Sequence, residues 1–76
     1  MKQITINTEF IKLDGLLKFS DIVPSGGFAK ILIQDGFVSL NGEVCLMRGK
    51  KIRPGDKIIV DYPEGNIYQE IEVIAK

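Results

Sequence analysis

The sequence has no histidine and no tryptophan, one cysteine, two tyrosines and four phenylalanines. Without an imidazole, the commonest general base and a principal metal ligand are both missing, and the carboxylates are scattered without a recognisable pair. Nucleophilic catalysis requires a positioned base, so the chain reads as a protein that is not an enzyme and needs neither cofactor nor metal. Cys45 is alone and cannot close an internal disulfide. Flanked by Val44 and Leu46, it reads as a small hydrophobe in a strand rather than a reactive thiol. No apolar run approaches the roughly 18 residues that cross a bilayer, and no signal-peptide pattern follows Met1, so a cytoplasmic protein without membrane contact is expected. Charge of one sign is absent overall: ten Lys and Arg balance ten Asp and Glu. That balance argues against a protein that coats nucleic acid indiscriminately.

What is present suits one small soluble domain over residues 1–76, with 45% hydrophobic and 26% charged residues. A chain of this length buries only roughly 60 to 65% of its unfolded surface, so the core must be compact. Lys2 to Ile6 alternates, with Ile4 and Ile6 on one side, and predicts a half-buried strand whose partner is not evident nearby. Thr8 and Glu9 then predict a turn. Leu13, Leu16 and Leu17 fit a short helix, with Asp14 near its N-terminus and Gly15 as an internal weakness of about 1 kcal/mol against alanine. Pro24 separates it from a second helix. Ser25 is a good N-cap for that helix, and Phe28, Ala29, Leu32 and Ile33 form an apolar stripe that Ile31 widens. Lys30 falls nearly opposite the middle of the stripe, towards solvent.

Beyond Gly36, a left-handed helix stop, the chain turns β in character. Phe37 to Leu40 and Glu43 to Leu46 predict a hairpin through Asn41-Gly42, and Pro54-Gly55 a type II turn. Ile58 to Asp61 is a short strand, Pro63-Glu64-Gly65 a further turn, and Ile67 to Ile74 a final alternating strand. The fold class is α+β: two short helices packed on one face of a small, mostly antiparallel sheet.

Two local features point to chemistry. Gly26 and Gly27 follow the N-cap, where backbone amides lack helical partners. They either relieve a tight connection from Pro24 or let a phosphate approach those amides beside Lys30. Residues 48–57, RGKKIRPGDK, carry Arg48, Lys50, Lys51, Arg53 and Lys57 against the single acid Asp56. Residues 61–72 hold Asp61, Glu64, Glu70 and Glu72 with no base. Such a division either polarises the surface or neutralises itself, depending on the fold. A basic run is commonly a solvated face, but one that folded back towards Lys30 would make a single basic surface. Phe10, Phe19, Phe28 and Phe37 read as core, and Tyr62 and Tyr68 flank an acidic turn. Shape and phosphate recognition of folded RNA is therefore preferred over base stacking along a single strand.

The ordered set LDGLLK, SGGFAK, VSLNGEV and RGKKIRPGDKI, within residues 11–60, resembles the S-four RNA-binding domain, or alpha-L motif. That domain occurs in a small-subunit ribosomal protein, many pseudouridine synthases, a heat-shock ribosome-binding protein and the tail of bacterial tyrosyl-tRNA synthetases. The order and spacing are similar to the small free-standing bacterial YaaA-like members. The resemblance implies a non-enzymatic module that binds ribosomal or transfer RNA, in ribosome assembly or translation, and possible association with ribosomal particles. It implies RNA-binding roles for Lys12 before the first helix, for Ser25, Gly26, Gly27 and Lys30 at the start of the second, and for Arg48, Lys50, Lys51 and Arg53 in the basic loop. Many members carry several basic residues in the second helix, whereas here Lys30 is followed by Gln34 and Asp35. Two other readings compete. One is a protein-interaction module that docks on a ribosomal or replication partner through the acidic strand near Glu70 and Glu72. The other rests on LNGEV and RPGDKIIV, which are similar to β-grasp sulfur carriers, although the chain ends Ile74-Ala75-Lys76 without their Gly-Gly.

Overall fold

The N-terminal strand finds its partner at the opposite end of the chain. In the computed structural model, which describes residues 1–76, β1 (Lys2–Ile6) runs parallel to β7 (Ile67–Ala75), with Ile4 opposite Val73. Between them come β2 (Ile11–Lys12), α1 (Leu13–Phe19), α2 (Gly26–Gln34), β3 (Val38–Leu40), β4 (Glu43–Val44), β5 (Lys51–Ile52) and β6 (Lys57–Tyr62). A 3-10 turn over Pro63–Gly65 joins β6 to β7. The main sheet has the order β1-β7-β6-β3-β4, antiparallel except for the β1–β7 pair, and β2 pairs with β5 in a separate two-stranded sheet. This is the expected α+β arrangement, with that second sheet added.

Register builds the core. Leu40, Ile58 and Ile71 stand side by side across β3, β6 and β7, and Val38 lies beside Val60. Period-two alternation puts these side chains on one face. Leu13, Leu16 and Leu17 of α1 and Ala29, Leu32 and Ile33 of α2 are fully buried in the same cluster. Tyr62 is half-buried rather than solvent-bound at its turn, because Phe28 and Phe37 meet it edge-on at ring separations of 6.0 and 4.8 Å.

Several expectations are corrected. Phe19 is 63% exposed and Ile31 52% exposed, so neither belongs to the core. Each helix is short and one-sided, and residues at the margins of its apolar stripe find nothing to cover them. The strand expected over Glu43 to Leu46 ends at Val44. The Cys45 amide still donates to the Val38 carbonyl at 3.0 Å, after which Leu46 and Met47 leave the sheet into solvent. Ile11–Lys12, between the expected turn and the first helix, and Lys51–Ile52, within the basic loop, form the two short strands of the second sheet.

The turns follow the local chemistry. Asn41 (φ 51°) and Gly42 (φ 90°) both have positive φ, the type I′ geometry that matches hairpin twist. Gly36 ends α2 at φ 86°, where a side chain would be strained. Gly15 is different: an added Cβ would meet only the Ile11 side chain at 3.8 Å, an ordinary contact. No helix is long and apolar enough to cross a membrane.

Gly15→Ala should therefore raise unfolding stability by about 0.5 to 1 kcal/mol through helix propensity. Leu17→Ala, which empties a fully buried position, should lower it by about 2 to 5 kcal/mol. Urea denaturation followed by circular dichroism measures both, and a neutral Leu17→Ala would contradict the packing described.

Candidate nucleic-acid interface

The site is best built from α1, because its first turn is capped by the basic loop. Lys12, at the N-cap, makes no side-chain capping bond. Instead the amide of Leu13 donates to the carbonyl of Lys50 at 2.9 Å, and that of Asp14 to the carbonyl of Arg48 at 3.0 Å. Two amides that a helix start leaves without partners are thereby satisfied. A turn within the loop, closed from the Lys50 amide to the Met47 carbonyl at 3.1 Å, sets those carbonyls in place.

The β2–β5 ladder then sets Lys12 directly opposite Lys51, and Ile11 opposite the buried Ile52. Directly opposed strand residues have Cβ atoms about 4.5 to 5.5 Å apart, and two like charges so placed repel. The Lys51 ammonium lies 5.0 Å from the centre of the Phe10 ring, a cation–π contact. Lys12, Arg48, Lys50 and Lys51 are all exposed, and none of their side chains makes a hydrogen bond within the chain. Lys2 behaves differently, donating to the Ser20 carbonyl at 2.7 Å. Four cations thus gather around the start of α1, where Asp14 is the acid of the first helical turn and its carboxylate accepts from the Gly15 amide at 2.8 Å.

Arg53 sits in the next turn. Its amide donates to Asp56 Oδ2 at 2.8 Å, while Asp56 Oδ1 accepts from Asn41 Nδ2 at 3.0 Å. Asn41 Oδ1 in turn accepts from the Lys57 amide at 2.9 Å. Asp56, the only acid of the basic segment, is therefore occupied in joining the 53–56 turn to the hairpin. The Gly55 amide anchors that turn to the Val73 carbonyl at 2.8 Å.

Ser25, Gly26, Gly27 and Lys30 form a second group at the start of α2. Ser25 Oγ accepts from the Phe28 amide at 3.3 Å, as an N-cap should. A Cβ on Gly26 would meet nothing within 4 Å, and one on Gly27 only Ser25 Oγ at 3.8 Å. Neither glycine has a positive φ. Packing within the chain therefore does not demand glycine at either position, which weakens the view that they relieve a tight connection. Lys30 faces solvent, as its place on the helix predicted. No hydrogen bond links this group to the basic loop, whose backbone bonds go to α1.

Sequence reasoning missed Phe10 beneath Lys51 and the Asn41–Asp56 clasp. Phe10 stands two positions before Lys12 and outside any periodic pattern, and the clasp joins residues fifteen positions apart. The acidic strand is partly self-engaged: Glu72 accepts from Gln3 Nε2 at 3.2 Å and Glu70 from the Tyr68 hydroxyl at 3.1 Å. That hydrogen bond and the carboxylate charge push the Tyr68 phenol above its ordinary range.

With this geometry in hand, residues 4–68 match the S4 domain family. The chain belongs to the S4 domain family. This S4 domain is 38% identical over 58 residues to a Bacillus subtilis (strain 168) protein named Probable ribosome maturation protein RlbA, covering 76% of this chain and 82% of that protein. Its fold is similar to the trimeric structure of Vibrio cholerae Heat Shock Protein 15, with a TM-score of 0.73 over 87% of this chain. The match spans 64% of that longer chain at 21% identity, and so concerns the fold alone.

The clasp makes a stability prediction. Asp56→Ala removes the acceptor of both the Arg53 amide and the Asn41 amide group, and should cost about 1 to 2 kcal/mol. Asp56→Asn, which keeps one acceptor oxygen, should cost less. Thermal denaturation distinguishes them, and equal melting temperatures for all three proteins would show that the clasp contributes nothing.

Proposed function

We propose that this S4 domain is a non-enzymatic module that binds structured RNA, ribosomal or transfer, by its phosphates. The observation that carries this reading is the gathering of Lys12, Arg48, Lys50 and Lys51 around the start of α1. Their backbone is held by the Leu13 and Asp14 amides and by the β2–β5 ladder, and their side chains make no hydrogen bond within the chain. A phosphate between opposed lysines would relieve the repulsion built into that ladder. Arg53 extends the surface along the next turn, while Ser25, Gly26, Gly27 and Lys30 offer a second phosphate position at the free amides of α2. Ribosome assembly or translation is the process in which we place the module, supported by its similarity to a protein named for ribosome maturation.

A neutral protein can bind RNA in this way because phosphate contacts depend on local cations rather than on net charge. The acidic strand gives less support to docking on a protein, since Glu70 and Glu72 are half-buried and hydrogen-bonded within the chain. The two-helix segment and the S4 match speak against a β-grasp carrier.

Titration of labelled ribosomal RNA at a series of salt concentrations tests the proposal. Neutralising about four phosphates predicts a log–log slope of roughly −3 to −4. Lys50→Glu combined with Lys51→Glu should weaken binding by about tenfold or more at low salt and flatten the slope. Absence of binding at low salt, or indifference to the double substitution, would refute it.

A further inference from the structure

The residues that follow the hairpin are unexpectedly apolar for a surface. Val44, Leu46 and Met47 are 60%, 57% and 66% exposed. With Leu40 and the half-buried Cys45 they wall an open cleft of about 260 Å³. The two polar residues that line it are Glu43 and Lys50.

We propose that this cleft is a subsite for one unpaired nucleobase of the bound RNA, an inference that rests on the RNA-binding reading above. Continuity with the basic loop is the first argument. Lys50 belongs to both surfaces, Met47 precedes Arg48 in the chain, and the Lys50 amide bonds the Met47 carbonyl at 3.1 Å. A nucleotide whose phosphate is held at Arg48 or Lys50 therefore has its base within reach of the apolar walls.

Size and chemistry select the occupant. At about 260 Å³ the cleft falls below the roughly 300 to 1,000 Å³ of sites for drug-sized ligands, which suits one flat heterocycle. Bases taken out of a stack are held between apolar side chains and read by a polar group at their edge. Glu43 supplies that group. Its carboxylate repels phosphate and accepts a hydrogen bond from the exocyclic amine of adenine, cytosine or guanine. A peptide strand is a poorer occupant, because adding to a sheet edge needs a row of free backbone groups. Here the outer strand of the sheet, β4, is only two residues long.

The test compares two RNA hairpins with the same stem and equal loops, one of adenosines and the other of abasic residues that keep every phosphate. The unaltered protein should bind the adenosine hairpin about 5- to 10-fold more tightly. Leu46→Ser with Met47→Ser, both at exposed positions, should bind the two alike, at the affinity the unaltered protein has for the abasic hairpin, with the salt slope unchanged. Circular dichroism confirms that this variant is folded. Glu43→Ala should narrow the preference for adenosine over uridine loops while retaining phosphate binding. Equal affinity of the unaltered protein for both hairpins overturns the subsite and leaves the RNA reading standing. Failure to bind either hairpin overturns the RNA reading and the subsite with it. If the double variant keeps its adenosine preference but loses association with a protein or with itself, the cleft is a protein-docking surface and the subsite is overturned.

Discussion

Two hydrogen bonds, from the Leu13 and Asp14 amides to the carbonyls of Lys50 and Arg48, tie the basic loop to the first helix. A seven-residue helix with an internal glycine is far too short to be stable alone. Its start lacks a side-chain cap, so a loop remote in sequence caps it instead. The loop is fixed by the same bonds. Because backbone carbonyls do the capping, the cationic side chains of the loop are spared for other partners, and the adjoining β2–β5 ladder aligns Lys12 with Lys51.

This arrangement conflicts with what the isolated fold would favour. Like charges stand opposite one another on a two-residue ladder, and three large apolar side chains lie in solvent beside them. Local rules are commonly broken at functional surfaces, where the missing interaction is supplied by a ligand. Around them the chain is internally consistent. The buried faces of the sheet and of both helices share one cluster, and no buried side-chain polar atom lacks a partner. The exceptions therefore stand out, and apart from Lys12 they lie between Val44 and Lys51.

Features governed by neighbouring residues were legible in the chain. The Ser25 cap, the Gly36 stop, the Asn41-Gly42 turn and the positive φ of Gly55 each depend on a side chain, or its absence, within a few positions. The alternating strands Lys2–Ile6 and Ile67–Ala75 could be recognised, but not their parallel pairing, since alternation states that one face is buried without naming the neighbour. Two-residue strands such as Ile11–Lys12 and Lys51–Ile52 are too short for any period to emerge. Phe19 and Ile31 were misread for a related reason. Hydrophobic character shows which side chains can be buried, whereas burial also needs a surface opposite, and none reaches these two.

The composition and the ordered motifs sufficed for the α+β class, the family resemblance and the identity of the basic residues, because all three are properties of residue type and spacing. How those residues are grouped was a tertiary matter. The sequence left open which element the basic loop lies beside; the folded chain ties that loop to the first helix, through backbone groups that every residue possesses and no side-chain pattern can advertise. The same holds for Phe10 beneath Lys51. That contact joins segments brought together only when the core closes, and so it was decided by packing rather than by local preference.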